Sequence, residues 1–348
     1  MRDLVLVGGG HAHLEALLRL ARRAPVARVR LVSDRPFAVY SGMVPGVLEG
    51  RYEPDAASID LASFAARAGA AFTCARVVEV GAQEVRTAQG DRLPFDVLSL
   101  DVGSGPARTA EAGSVVVSAR PGSALLDAFE GLPTPAAHLA IVGGGAAGVE
   151  IACTLAAGRR AHRITLWERG PRLLPGLPLG LARSVERWAA RRGVDLRLGT
   201  AFGPEATGPE RERFDLVIQA TGATAPALGR ESGLPVDGEG YLRVDASLRV
   251  EGTDNVFAVG DCATLTHAPD TPKAGVFAVR QGPVLARNLC AFLEARELSP
   301  YHPQRRALVL LNLGNGIGAG AWGRAHFTGS SMMHLKDWID QRWMRRFR

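Results

Sequence analysis

The chain has 348 residues, 47% of them hydrophobic and 22% charged, which argues against wholesale disorder or a multi-span membrane protein and leaves room for two domains. The 41 basic and 35 acidic residues give a formal charge of +6, but every basic residue except Lys273 and Lys336 is arginine. That is a compositional habit rather than a basic stripe, so nucleic acid is not an expected partner.

The four cysteines, Cys74, Cys153, Cys262 and Cys290, are far apart and lack C-x-x-C or metal-ligand spacing, so neither a disulfide framework nor a metal site is expected. Met1 leads almost at once into an apolar strand, with no charged and apolar leader ahead of it. The stretch from Ala307 to Trp322 is broken by Asn312 and Asn315, a poor pattern for a spanning helix. The expected location is cytoplasmic, either soluble or peripheral on the inner face of the cell membrane.

In chain order, the first element is a buried strand at Leu4–Val7, then Gly8-Gly9-Gly10-His11-Ala12-His13-Leu14-Glu15, a glycine turn opening a helix. Such a turn lets the backbone approach a pyrophosphate, which sits on the N–H groups of the helix start. Val29–Ser33 is the next strand, running into Asp34, and either Ser33 or Asp34 can hold the ribose of the dinucleotide. Pro36–Gly46 follows and contains Tyr40 but no cysteine. Phe95–Val102 reads as a late strand of this half, ending at Gly103.

The whole pattern then repeats 135 positions on. Leu139–Val142 precedes Gly143-Gly144-Gly145-Ala146-Ala147-Gly148-Val149-Glu150, Ile164–Trp167 runs into Glu168, and Phe214–Thr221 ends at Gly222. One glycine turn is weak evidence for a dinucleotide site; two in the same context are strong evidence. His13 replaces the third glycine of the first turn, for which a packing role is expected. Further on, Asn255–Ala263 is a buried strand ending in Gly260-Asp261, and Pro272–Gly275 is a loop ahead of a helical pattern. The N–H groups of Gly275, Val276 and Phe277 would project from that helix start, with Lys273 beside them, a setting suited to negative charge. The tail from His334 to Arg348 carries Leu335, Ile339, Trp343 and Phe347 every four residues, with Trp338 beside them and a basic remainder. Two expectations stand for it: an interfacial helix on anionic lipid, or a helix docked on the protein.

These landmarks together resemble the pyridine nucleotide–disulfide oxidoreductase superfamily of two-dinucleotide flavoproteins. Gly-Gly-Gly-His-x-His, Tyr40-Ser41-Gly42-Met43-Val44-Pro45-Gly46 and the segment Pro272–Pro283 resemble its NADH-dehydrogenase-like branch, related to type II NADH dehydrogenases and sulfide:quinone oxidoreductases and also found fused to selenophosphate synthetase. The resemblance implies an α/β fold with two Rossmann-like domains of the three-layer ββα type. An FAD domain would span 1–112 and 238–300, an NAD(P)H domain 113–237 would be inserted in it, and 301–348 would be a short C-terminal segment.

On that resemblance FAD would be held by Gly8, Gly10, His11, Ser33, Asp34, Gly103, Gly260 and Asp261, with Gly275, Val276 and Phe277 at the flavin. NAD(P)H would be held by Gly143, Gly145, Gly148, Glu168 and Gly222. The Glu168 carboxylate favours NADH by repelling a 2′-phosphate, while Arg169 and Arg172 keep NADPH open. With no cysteine pair after the first acid, the expected activity is an FAD-dependent NAD(P)H dehydrogenase delivering electrons to a quinone-like acceptor. Lys273 and Tyr40 are the catalytic candidates. The alternatives are a sulfide:quinone-type oxidoreductase, disfavoured by the cysteine spacing, and an NADH-sensing flavoprotein of the apoptosis-inducing-factor kind.

Overall fold

Arg2–Val7 ends in Leu-Val-Leu-Val, a run too short for a helix and buried throughout, as a central parallel strand requires. In the computed structural model, which describes residues 1–22, 27–105, 115–203 and 213–348, this strand centres a five-stranded parallel sheet. Ala27–Ser33 and Ala71–Cys74 lie on one side of it, Val97–Leu100 and Val256–Ala258 on the other. Ala136–Val142 centres a second parallel sheet, with Ala161–Glu168 and Val194–Leu198 on one side and Leu216–Gln219 and Val115–Ser118 on the other. Both are doubly wound arrangements, in which ligands seat at the carboxyl ends of the strands where the strand order reverses. A three-stranded antiparallel meander, Val77–Val80, Glu84–Thr87 and Arg92–Pro94, belongs to the first half.

The chain passes between the halves beside itself, for the Gly105 N–H donates to the Thr224 carbonyl at 2.8 Å. The outward boundary expected at 112/113 lies outside the described residues. The return comes earlier than expected: Leu228, Leu234 and Val236 pack on the core of the first half, and Ser232 Oγ accepts from the Val80 N–H at 2.9 Å. These side chains fill the gap over the meander, which places them with the first half although 113–237 was expected to form the second.

The two glycine turns differ at one matched pair. In the second half Gly148 is obligatory, since a Cβ there would lie 1.9 Å from the Gly143 carbonyl oxygen, and Ala220 faces it across the turn. In the first half His13 takes the place of Gly148 and Asp101 that of Ala220. The His13 ring is fully buried, with Nδ1 2.8 Å from the Gly8 carbonyl oxygen and Nε2 2.9 Å from Ser99 Oγ. A carbonyl only accepts, so Nδ1 carries the proton and the serine hydroxyl donates to Nε2.

The C-terminal segment is more than a tail. Val309–Asn312, Gly318–Trp322 and Ala325–Gly329 form an antiparallel sheet, and Leu311, Leu313, Ala319 and Ala321 enter the core of the second half. The helix Ser330–Met344 then turns Trp343, Met344 and Phe347 into the core of the first half. The expected stripe is therefore corrected. Trp343 and Phe347 face the protein, and the buried face also carries Lys336 and Asp340, because the helix must seat on a polar cluster.

Gly148→Val should push the second turn off its strand, costing about 2 kcal/mol as overpacking does. A lower urea midpoint with normal flavin content but weakened NADH binding is the expected outcome, read by denaturation and by NADH titration.

Candidate active site

The helices His11–Leu20 and Ala146–Ala157 each start at a glycine, Gly10 or Gly145, without a side-chain cap. Their first N–H groups therefore present positive helix ends at the carboxyl edge of each sheet. Gly8 and Gly143 take φ of +102° and +111°, which bends each strand into its helix. Gly103, Gly145 and Gly222 border open space, where an added Cβ would meet nothing within 4 Å. Two helix starts with open space beside their turns suit two dinucleotide diphosphates, although in the first half the His13 N–H already serves Asp101 Oδ2 at 3.0 Å.

The acids at the ends of the second strands are not equivalent. Glu168 accepts from the Gly144 N–H at 2.7 Å and the Gly170 N–H at 2.6 Å, which holds its carboxylate at the turn. The same register position in the first half is Ser33, a buried residue whose Oγ lies 3.5 Å from where a Cβ on Gly9 would sit, while Asp34 is exposed one residue beyond. Arg172 donates to the carbonyls of Leu174 and Leu177 at 3.1 Å, which commits it to its own loop.

Gly260 and Asp261 close the first half against the long helix Gly275–Leu293, where the Gly260 N–H donates to Gln281 Oε1 at 2.6 Å. Burial raises the Asp261 carboxyl, opposed by Arg120 and Lys273. Arg120 enters from the second half, donating to Asp261 Oδ2 at 2.8 Å and to the Lys273 carbonyl at 3.0 Å. Lys273 turns its ammonium inward to the Ala263 carbonyl and to Thr264 Oγ1 at 2.8 Å, 4.3 Å from the centre of the Tyr241 ring. Burial lowers its pKa. At the helix start the expectation for three projecting N–H groups needs one correction. The Phe277 N–H is taken by the Ala274 carbonyl at 2.9 Å, a tight first turn, while Gly275 and Val276 remain at the helix end.

Beside the first turn stands an aromatic wall. His11 lies 5.5 Å from Tyr40 and 5.2 Å from Trp343, and Tyr40 stacks on Trp343 at 4.5 Å. Burial lowers His11 to about 4 and likewise His13 to about 4, so both imidazoles are neutral. Tyr40 donates to Asp340 Oδ1 at 2.9 Å, and burial holds its phenol well above the ordinary range. Asp340 accepts from Lys336 Nζ at 2.8 Å, and Lys336 also reaches the Gly42 carbonyl at 2.7 Å. Glu150 lies 4.0 Å from Lys336 and accepts from the Asn312 N–H at 2.7 Å. Burial raises Glu150 to about 7. Burial alone would lower Lys336, but Glu150 and Asp340 outweigh it and raise its pKa.

Sequence reasoning named Tyr40, Lys273 and the turn glycines but missed Arg120, Asp101 and the Lys336–Asp340–Glu150 cluster. Lys336 carried a signal, being one of two lysines in the chain. Arg120 carried none among so many arginines.

A pair of parallel sheets, each with a glycine turn, defines a two-dinucleotide oxidoreductase fold. The chain belongs to the pyridine nucleotide-disulphide oxidoreductase family, whose model matches residues 2–282. As a member it is an FAD-dependent oxidoreductase that uses a pyridine nucleotide. A demethylphylloquinone reductase of Synechocystis is 34% identical over 50% of this chain and 46% of its own length, so that match spans less than half of the relative. An NADH dehydrogenase-like protein of Mycobacterium tuberculosis is 28% identical over 76% of this chain and 73% of its own. Among solved structures, the sulfide:quinone oxidoreductase of Aquifex aeolicus has a TM-score of 0.77 at 18% identity, covering 100% of this chain and 92% of the other. NDH2 of Plasmodium falciparum in complex with NADH has a TM-score of 0.75 at 15% identity, covering 99% and 98%. At these identities the structures speak for the fold.

The buried ionisable groups set opposing pH dependences. From pH 4 to 6.5 the unfolded chain protonates His11 and His13 while the native state does not, so these groups add stability as pH rises. Glu150 and Asp101, both raised to about 7, keep protons in the native state that the unfolded chain releases, so their share of stability is lost as pH rises toward 7. Glu150→Gln removes one of the opposing pair. Its unfolding free energy should climb more steeply between about pH 4.5 and 7, by up to about 1.4 kcal/mol per pH unit, as measured by urea denaturation.

Proposed function

We propose that this chain is an NADH dehydrogenase that passes electrons through FAD to a quinone-like acceptor, with FAD on the first half and NADH on the inserted half. The carrying observation is the Tyr40–Trp343–His11 wall beside the first turn, a flat, partly apolar surface with no thiol in it. When bound, FAD supplies the redox chemistry, taking hydride from the nicotinamide and giving electrons to the acceptor. The residues of the chain bind, orient and shield. The two glycine turns take the diphosphates, and Glu168 suits the ribose hydroxyls of NADH. Lys273 and Arg120 fix the loop at Asp261, and Tyr40, backed by Asp340 and Lys336, presents the acceptor face.

The names of the Synechocystis and Mycobacterium relatives support this reading. A sulfide:quinone role would ask for a pair of reactive thiols. The four cysteines form no disulfide, three of them are buried, and burial pushes Cys262 up to about 12. No helix of the described residues is long and apolar enough to cross a membrane. A peripheral contact is supported by the exposed Trp322, Phe327 and Trp338, which are 50%, 65% and 60% accessible.

The direct test is anaerobic addition of NADH to the yellow protein, followed by a short-chain quinone. Bleaching by NADH and prompt return of colour with quinone are expected, whereas a long-lived reduced complex that quinone leaves untouched would favour the sensor alternative. Glu168→Arg should raise the KM for NADH about 10- to 100-fold, the loss expected for 1.4–2.8 kcal/mol of binding, and improve NADPH relative to NADH in steady-state assays. Equal use of both nucleotides by the unaltered protein would remove Glu168 from the ribose.

A further inference from the structure

We propose that Asp101 keeps a proton whenever the flavin dinucleotide is bound, so that the hold of this protein on FAD is linked to the uptake of one proton by a side chain in the floor of its own glycine turn. The inference rests on FAD binding by the family and on the place where the two halves depart from each other. At the end of the fourth strand the second half has Ala220, an inert methyl, and the first half has Asp101. Asp101 is 3% accessible. Its carboxyl is wedged between two backbone turns: a Cβ added to Gly10 would lie 2.2 Å from Asp101 Cγ, and one added to Gly260 would lie 2.3 Å from Asp101 Oδ1. Asp101 Oδ2 accepts from the His13 N–H at 3.0 Å.

That N–H belongs to the same helix start whose donors a diphosphate would use. A carboxylate there already occupies two donors, the backbone N–H groups of His13 and Ala12, and would set a negative charge beside the two of the diphosphate in a site shielded from water. The backbone N–H groups of His13 and Ala12 favour the charged form, but burial outweighs them, and no side chain facing the carboxyl brings a positive charge to it. The first helix contributes His13, neutral, with Nδ1–H spent on the Gly8 carbonyl and Nε2 on Ser99. From the Gly260 turn come Asp261, a second carboxyl whose field raises Asp101, and the buried thiol of Cys262. The long helix contributes Gln281, which is neutral and holds the Gly260 N–H. The nearby cations are committed elsewhere, Arg120 to Asp261 and Lys273 to Ala263 and Thr264.

Burial already raises Asp101 to about 7, and a bound diphosphate raises it further. Below that value the acid is neutral and FAD binds without penalty. Above it, binding requires a proton, so affinity falls with rising pH by about tenfold per unit until the acid of the loaded protein itself ionises. Asp101 is thus a positioning residue with a titratable signature.

The test dilutes the holoenzyme at a series of pH values from about 6 to about 9 and reads free FAD by its fluorescence, which gives a dissociation constant at each. The expected result is a flat constant up to about pH 7 and a rise of about tenfold per unit above it. Asp101→Asn, which keeps the acceptor for the His13 N–H, should hold FAD at high pH as tightly as the unaltered protein does at low pH, with no slope. Asp261→Asn should keep the slope. A flat profile for the unaltered protein, or an unchanged slope in Asp101→Asn, overturns the proposal. A second readout needs no affinity. The infrared difference between the holoenzyme and its Asp101→Asn variant at about pH 8, in which the carbonyls of FAD and of the other raised carboxyls cancel, should show a carboxylic acid carbonyl band, and its absence would equally overturn the proposal.

Discussion

Two glutamates at matched positions, Glu15 and Glu150, hold the molecule in its working shape. Each sits one turn into the helix that follows a glycine turn, and each is turned away from the nucleotide side toward the C-terminal segment. Glu15 accepts from Trp343 Nε1 at 2.9 Å and from both terminal nitrogens of Arg346, at 2.6 and 2.7 Å. Glu150 takes the Asn312 N–H and faces Lys336. One segment of chain is thereby fastened to the equivalent point of both halves. Removing one partner of a buried pair leaves the other charge stranded, so loss of either side loosens the clamp.

From this clamp the aromatic wall follows. Seating Trp343 on Glu15 brings its ring against Tyr40 and His11, and seating Lys336 near Glu150 brings Asp340 to the Tyr40 hydroxyl. The wall beside the first turn is therefore assembled from residues some 300 positions apart in the chain. Arg120 makes the second connection between the halves, reaching Asp261 from the inserted half. The two nucleotide seats are fixed to one another at both ends, which suits electron transfer between two bound cofactors.

Much of this was legible in the sequence, because a parallel strand, a glycine turn and a helix start are local patterns with local causes. The repeat places Ser33 opposite Glu168, since 168 minus 135 is 33, but leaves Ser33 and Asp34 both open for the ribose. What could not be read was anything carried by tertiary placement. The period of four in the last helix put Trp343 and Phe347 on one stripe correctly, yet it gave no means of telling lipid from protein as the surface they cover. It gave no sign that Lys336 and Asp340 are buried, because a buried ion pair betrays itself only once its partners Gly42, Tyr40 and Glu150 are brought to it. The return crossing was misplaced for the same reason: Leu228 and Val236 lie in a segment whose allegiance is decided by the meander it covers.

The matched pairs Gly148 with Ala220 and His13 with Asp101 constrain how one half can be converted into the other over evolutionary time. A histidine introduced at position 148 would collide with the Gly143 carbonyl, and a lone glycine at position 13 would leave the Ser99 hydroxyl without its buried partner. Each exchange is harmful, because the backbone of each turn is already fitted to the residue it holds. If the halves arose by duplication of one ancestral unit, neither could readily drift back to the other's residues at this point without a shift of its backbone. The two nucleotide sites are thus locked apart by packing as well as by whatever ligand preference selection has since imposed on them.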